Sequence, residues 1–277
     1  MAQYDFLFFD LDGTLLSPDH RTVSPGNQEA LREARAAGIK LALATGRCLG
    51  MIPQEALEQG LDFAVTSNGA AIYDLRQGRQ IYQYPFPAEE ATKACEVIER
   101  YMDFYELFVN GKVLLIRSPR AEAAGLTMPP WGHFYIERRG GLPEMTSIRS
   151  FLADGALGLE KINIIHCPPS EMLSLQQELA AFGDFDLSSS MNYGGLEVVP
   201  KACSKGYAIR WLCDELGIDL TRCAAFGDSS NDRNMLAAVG CGVAMENAPD
   251  SLKAAAHCVA PPYDQDGIAT FITRYVL

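Results

Sequence analysis

A short apolar run that ends on two acids is the feature that most constrains this fold. Phe6-Leu7-Phe8-Phe9 is followed at once by Asp10-Leu11-Asp12-Gly13-Thr14. Four consecutive large apolar residues predict a strand buried on both faces of a parallel sheet. Open sheets of this kind bind ligands at the carboxyl ends of their strands. We therefore expect both carboxylates at a ligand site, and an ordinary surface turn is the alternative.

The rest of the chain alternates strands and helices. Ser24-Pro25 is typical of a helix start, and short apolar runs at residues 39–44 and 63–65 end on small polar residues. The last third repeats the pattern with a helix from Ser204-Lys205 and a strand at 222–226 that ends on acids. Such alternation predicts parallel strands joined by right-handed crossovers.

The middle of the chain follows another pattern. Residues 86–192 mix helices with hairpin strands, and Pro85 and Pro87 mark the point where the pattern changes. We therefore predict an α/β fold: a Rossmann-like parallel sheet core flanked by helices, formed by residues 1–85 and 193–277, with an inserted α+β cap domain at 86–192.

Composition excludes several classes of partner. The 277 residues carry a formal charge of −12, which repels nucleic acid and anionic membranes. No run of eighteen apolar residues predicts a membrane span, and the first residues do not resemble a signal peptide. Eight scattered cysteines without a C-x-x-C pair favour reduced thiols. We expect a cytoplasmic protein, a monomer or weak homodimer.

If the acidic strand ends are neighbours, Asp10, Asp12, Asp228 and Asp232 converge at one edge of the sheet. Two like charges about 4 Å apart repel by roughly 4 kcal/mol at an effective dielectric near 20, so the cluster predicts a bound cation. Oxygen ligands without a nearby His or Cys favour Mg²⁺ over Ca²⁺ or Zn²⁺.

Such a cluster is suited to phosphoryl chemistry. One aspartate can attack phosphorus, and a second can protonate the leaving oxygen and later activate water. Thr45, Asn68 and the backbone N–H groups of the Asp10 to Gly13 turn can bind phosphate oxygens, and Lys205 can bridge nucleophile and phosphate. Each of these residues alone is more typical of a cap, a turn or a solvated surface. Their joint occurrence at four strand or helix ends favours a site.

Four motifs resemble those of the haloacid dehalogenase superfamily: Asp10-Leu11-Asp12-Gly13-Thr14, Thr45-Gly46-Arg47, Ser204-Lys205-Gly206 and Gly227-Asp228-Ser229-Ser230-Asn231-Asp232. The long insert adds a resemblance to the Cof-type phosphatases, which carry a type IIB cap, and so do Ser67-Asn68-Gly69-Ala70 and Met245-Glu246-Asn247-Ala248.

The resemblance implies roles for these residues. Asp10 would be the nucleophile that forms an aspartyl-phosphate, and Asp12 the general acid–base, which also gives a backbone carbonyl to Mg²⁺. Thr45 and Lys205 would stabilise the phosphate. The implied metal residues are Asp10, Asp12, Asp228 and Asp232, the last either through water or as a partner of Lys205. The residues expected at the phosphate or substrate are Leu11, Gly13, Gly46, Arg47, Asn68 and Asn231.

These roles predict Mg²⁺-dependent hydrolysis of small phosphate monoesters, such as sugar phosphates or phosphorylated cofactors, with the insert as a lid. The partner would be a small phosphorylated metabolite. Two alternatives use the same site: a phosphotransferase or phosphomutase that passes the phosphoryl group to a second acceptor, and a non-catalytic sensor of phosphorylated ligands. Keeping both Asp10 and Asp12 argues against the sensor, because binding alone needs no nucleophile paired with an acid.

Several cations have no assigned role. Arg47 either faces the leaving group or is an exposed arginine. The arginines of the insert, Arg117, Arg120, Arg138 and Arg139, either contact a charged substrate or solvate the outer face of the lid. All four histidines fall outside the motifs, and we interpret them as structural or surface residues: His20, His133, His166 and His257.

Overall fold

The computed structural model describes residues 3–127, 144–147, 151, 158–190 and 194–277. The chain separates into two compact units. We call Met1–Tyr82 with Cys203–Leu277 the core unit, and Gln83–Ala202 the inserted unit. Arg138, Arg139 and His133 lie outside the described residues.

The strands in chain order are β1 (Phe6–Phe9), β2 (Lys40–Ala44), β3 (Phe63–Thr66), β4 (Ala71–Asp74), β5 (Arg79–Gln83), β6 (Phe104–Val109), β7 (Lys112–Arg117), β8 (Glu144–Ser147), β9 (Leu159–Ile164), β10 (Phe185–Ser190), β11 (Gly195–Pro200), β12 (Cys223–Gly227), β13 (Cys241–Met245) and β14 (Cys258–Ala260). The helices are α1 (Pro25–Ala36), α2 (Gln54–Leu57), α3 (Ala88–Tyr101), α4 (Pro119–Ala123), α5 (Pro169–Phe182), α6 (Lys205–Leu216), α7 (Arg233–Leu236), α8 (Asp250–Lys253) and α9 (Gly267–Tyr275).

The core unit is built on a sheet of strand order β14-β13-β12-β1-β2-β3-β4-β5. β1 lies between β2 and β12 and runs parallel to both. Phe6 and Phe8 pack into the hydrophobic core on one face, and Leu7 and Phe9 into the core on the other. Burying each of these side chains contributes roughly 1.5–3 kcal/mol relative to leaving it exposed. The sequence prediction of a strand buried on both faces is correct, and the chain leaves β1 at Asp10.

Local sequence sets the ends of the helices that flank this sheet. The side chain of Ser24 accepts a hydrogen bond from the backbone N–H of Asn27 at the start of α1, and Ser204 caps α6 in the same way. The segment after Arg47 joins β2 to α2. It forms a single turn at Leu49–Met51 that is separate from the short α2, because Pro53 interrupts the hydrogen bonding between them.

The inserted unit has its own sheet, of order β10-β11-β9-β6-β7-β8, with α3 and α5 packed on one face. β11 was assigned from sequence to the core, but it pairs antiparallel with β9 and β10. Its Leu196 and Val198 also pack into the hydrophobic core of the inserted unit. The units therefore divide at 82/83 and 202/203, whereas the sequence placed the boundaries at 85/86 and 192/193.

The eight cysteines are free thiols, six of them buried and two partly buried. Within the described ranges, no helix has both the length and the apolar character needed to cross a bilayer.

Candidate active site

Three acids from two distant segments meet at the carboxyl edge of the core sheet. Asp10 follows β1, and Asp228 and Asp232 follow β12. Each offers a carboxylate oxygen, and these oxygens lie within 4.8 Å of one another. β1 and β12 are adjacent parallel strands, so both segments leave the sheet at the same edge. The predicted convergence of these three acids is therefore present.

Lys205 lies between two of these carboxylates. Its Nζ is 2.6 Å from Oδ1 of Asp10 and 2.7 Å from Oδ1 of Asp232. The side chain is buried at the first position of α6. Burial alone would lower the pKa of Lys205, but the two carboxylates outweigh it and raise the pKa. The site therefore keeps a positive charge beside Asp10.

Asp232 is committed to protein contacts on both oxygens. Oδ1 accepts a hydrogen bond from Nζ of Lys205. Oδ2 accepts hydrogen bonds from the backbone N–H groups of Asp228 and Ser229, both at 2.9 Å. Of the two roles that the resemblance allowed for Asp232, these contacts correspond to the partner of Lys205.

The remaining acids are crowded by like charge. Burial raises the pKa of Asp10 well above its usual range, and the carboxylates of Asp232 and Asp228 add to the rise while Lys205 opposes it. Burial, followed by the charge of Asp232, raises the pKa of Asp228 to about 6. A divalent cation among these oxygens would offset both costs. An oxygen-only donor set with few carboxylates fits Mg²⁺.

The turn between the two motif acids needs a glycine. Gly13 has a φ of +76°, and a Cβ there would lie 2.4 Å from Oδ2 of Asp228. The hydroxyl of Thr14 donates to Oδ1 of Asp228 at 2.9 Å, and Nδ2 of Asn247 donates to the carbonyl of Gly13 at 2.9 Å. The turn is thus held from two sides. Leu11 is buried in the core, so it can bind phosphate only through its backbone.

Several of the residues predicted to bind phosphate also come together. The Thr45 hydroxyl accepts the backbone N–H of Arg47 at 3.1 Å, which leaves its own proton to donate. Nδ2 of Asn231 donates to Oδ1 of Asn68 at 3.1 Å. At Gly46 a Cβ would lie 3.0 Å from that same oxygen. Three loops that follow different strands therefore converge here.

The side chain of Asp12 is not part of the acidic cluster. Nε of Arg47 donates to its Oδ2 at 2.8 Å, and Nη2 donates to its Oδ1 at 2.5 Å. Arg47 is therefore bound to the second motif acid and is not the exposed arginine of the alternative interpretation. Burial alone would raise the pKa of Asp12, but hydrogen bonds and charge from Arg47, aided by His20, lower it.

His20 is the site residue that the sequence interpretation missed. Its Nδ1 lies 3.0 Å from Oδ1 of Asp12. The residue belongs to no motif, and only the turn-forming stretch Ser17-Pro18-Asp19 before it indicated that the chain folds back toward Asp12.

The other histidines and arginines that the structure describes have different surroundings. His257 accepts the backbone N–H of Gly242 through Nδ1 at 2.9 Å, which is a structural contact. Arg120 forms an exposed ion pair with Asp103, with 2.7 Å between Nε and Oδ1. Arg117 lies in β7 and donates to the carbonyl of Leu126.

Comparison with known proteins gives the family. A family model described as haloacid dehalogenase-like hydrolase matches residues 7–272. The HMP-PP phosphatase of Serratia proteamaculans is 32% identical over 255 residues, covering 90% of this chain and 86% of that protein. Phosphatase YwpJ of Bacillus subtilis is 30% identical over 275 residues, covering 94% of this chain and 95% of that protein. Among solved structures, the subclass IIB sugar phosphatase BT4131 matches with a TM-score of 0.78 and 25% identity over 98% of both chains.

The family match begins in β1 and ends in α9, so it includes both segments of the core unit and the insert between them. The relatives named above are phosphatases, and they match over most of their own length. This chain therefore belongs to the haloacid dehalogenase-like hydrolase family and is an enzyme of its Cof-type, subclass IIB phosphatases.

Proposed function

We propose that this chain catalyses Mg²⁺-dependent hydrolysis of small phosphate monoesters through an aspartyl-phosphate formed on Asp10, acting in the cytoplasm on sugar phosphates or phosphorylated cofactors. One observation carries the proposal: the buried ammonium of Lys205 contacts Asp10 beside a cluster of carboxylates. A chain with a net charge of −12 can hold a phosphate only by such a local device.

The metal would be held by the carboxylates of Asp10 and Asp228 and by the backbone carbonyl of Asp12. Once bound, Mg²⁺ would neutralise charge on the phosphate and so allow an anionic nucleophile to approach. The crowding of like charge among these carboxylates supports this assignment.

In the first step Asp10 attacks phosphorus. Lys205 holds Oδ1, and Oδ2 accepts no hydrogen bond from the residues that the structure describes. Oδ2 would therefore form the new bond. The bond between phosphorus and the ester oxygen breaks, its electron pair stays on the leaving oxygen, and that oxygen takes a proton from Asp12.

In the second step water attacks the phosphorus of the aspartyl-phosphate. The Asp12 carboxylate removes a proton from the water, the bond to Asp10 breaks, and inorganic phosphate leaves. The ion pair with Arg47 lowers the pKa of Asp12 and so favours the carboxylate that this step requires.

Binding of the phosphate oxygens would fall to the Thr45 hydroxyl, the Asn68 and Asn231 amides, and the backbone N–H groups around Gly13. The inserted unit would act as a lid that excludes water and reads the rest of the substrate. The names of the relatives, an HMP-PP phosphatase and a sugar phosphatase, support a small phosphorylated metabolite as the substrate.

The test is Asp10→Asn assayed with 4-nitrophenyl phosphate and Mg²⁺. Loss of the nucleophile should lower turnover by at least about 10³-fold. Asp214→Asn, which removes the same charge from an exposed position on α6, is the control and should keep its activity. Turnover retained by Asp10→Asn would contradict the mechanism. Isotope from labelled water in the released phosphate would distinguish hydrolysis from transfer to a second acceptor.

A further inference from the structure

A small hairpin brings His20 to Asp12. Leu16 and Val23 form an antiparallel bridge, so the chain after the first motif doubles back on itself. His20 lies in the turn of this hairpin, eight positions after Asp12, and its ring contacts the carboxylate.

The turn has its own hydrogen bonds. The carboxylate of Asp19 accepts the backbone N–H groups of Arg21 and Thr22, each at 2.9 Å, and the Thr22 hydroxyl at 2.8 Å. These bonds do not involve the imidazole of His20. The side chain of His20 can therefore be changed without removing the bonds that shape the turn.

The backbone at His20 is left-handed, with a φ of 57°. Glycine adopts this conformation freely, and asparagine, aspartate and histidine are the side chains found in it most often. The local backbone therefore tolerates a histidine, and the contact of its ring with Asp12 gives this position a role beyond the turn.

Arg47 and His20 both contact the carboxylate of Asp12. Nη2 of Arg47 and Nδ1 of His20 both contact Oδ1, at 2.5 and 3.0 Å, and Nε of Arg47 contacts Oδ2. A guanidinium can only donate hydrogen bonds, but Nδ1 of a neutral histidine donates in one tautomer and accepts in the other. The contact with His20 can therefore persist whether Asp12 carries a proton or not.

We propose that His20 is a positioning residue for the general acid–base: its Nδ1 holds Oδ1 of Asp12 in the orientation needed to protonate the leaving oxygen. This inference rests on the proposed function. It assigns a reaction role to a side chain that lies outside all four motifs.

The experiment compares His20→Gly and His20→Asn on two aryl phosphates of similar shape, with saturating Mg²⁺. 4-Nitrophenyl phosphate releases a stable anion that needs no proton, whereas 4-methylphenyl phosphate depends on the acid. Because kcat/KM reports the steps up to loss of the leaving group, it isolates the acid step. Both variants suit the left-handed backbone, and a thermal midpoint close to that of the wild type would show that the fold is kept.

We expect His20→Gly to lose about tenfold in kcat/KM on the methylphenyl ester and less than about twofold on the nitrophenyl ester. In His20→Asn the side-chain amide can donate to Asp12, so this variant should recover most of the loss. Equal losses on both esters, no loss on either, or a His20→Asn variant no better than His20→Gly would overturn the inference. If Asp10→Asn kept its activity, the proposed function would fail and this inference with it. If Asp10→Asn were inactive, a negative result at His20 would count against His20 alone.

Discussion

The two sheets of this protein use their buried polar residues in different ways. In the core unit, β1 and its two neighbours are apolar apart from Lys40 at the start of β2, and the polar groups of the site follow the strand ends. In the inserted unit, charged residues lie within the strands: Glu106 in β6, Lys161 in β9 and Glu197 in β11. Glu106 and Lys161 are almost completely buried.

The polar residues of the inserted sheet compensate one another. Glu106, Asn163 and Glu197 are cross-strand neighbours in register, and Nδ2 of Asn163 donates to Glu106 at 2.5 Å. Nζ of Lys161 is 2.7 Å from Glu197 and 4.5 Å from the centre of the Phe108 ring. A buried network of this kind stabilises and specifies a fold when its members are satisfied.

The strand-end cluster of the core unit differs, because its carboxylates crowd one another. Asp10, Asp228 and Asp232 share one cation, Lys205, among the residues that the structure describes around them. Burial raises the pKa values of Asp10 and Asp228, and the neighbouring carboxylates add to the rise. The comparison indicates that buried charges spread along a row of hydrogen-bond partners support structure, whereas buried carboxylates crowded against one another mark the place where a ligand is needed.

The largest effect that tests this comparison is expected at the shared cation. Lys205→Met should lower kcat by about 10³-fold, because it removes a charge that stabilises the phosphate in the transition state. It also leaves two buried carboxylates without their partner, so folding must be checked by circular dichroism. Lys253→Met, which removes the same charge near the surface of the core unit, is the control. Near-normal turnover in folded Lys205→Met would show that the cluster is structural.

The opposite result is expected in the inserted sheet. Lys161→Met breaks a buried ion pair and should destabilise the protein by about 3–5 kcal/mol, measured by chemical denaturation. Turnover of 4-nitrophenyl phosphate per folded molecule should stay near that of the wild type. The double variant Lys161→Met/Glu197→Leu should regain most of the stability, since it leaves no unpaired charge at this position. A loss of turnover without a loss of stability would give the buried polar residues of the inserted sheet a catalytic role and contradict the comparison.

The core site was predictable from sequence because parallel strands carry their following residues to one edge. Asp10 and Asp228 could be placed together without coordinates, since each follows a short buried apolar run. The contact of His20 with Asp12 could not be predicted, because it depends on a hairpin whose register no periodicity reveals. The true place of β11 was also hidden. Its residues Leu196 to Val199 suit a buried strand in either sheet, and only the pairing with β9 decides between them.

The smallest effect concerns one acid of the cluster and should have the opposite sign to that of Lys161→Met. Without Mg²⁺ at about pH 8, Asp228→Asn should stabilise the protein by roughly 1–3 kcal/mol, because it removes a like charge from a crowded site. The pKa of Asp228 is raised to about 6 on folding, so ionisation of this carboxyl destabilises the folded state above that pH. The difference between the two proteins should therefore shrink as the pH falls through 6.

Added Mg²⁺ should raise the thermal midpoint of the wild type and leave that of Asp228→Asn nearly unchanged. A variant that is less stable than the wild type without metal would mean that Asp228 is already balanced by its surroundings, as Glu197 is by Lys161, and the distinction between the two sheets would then be lost.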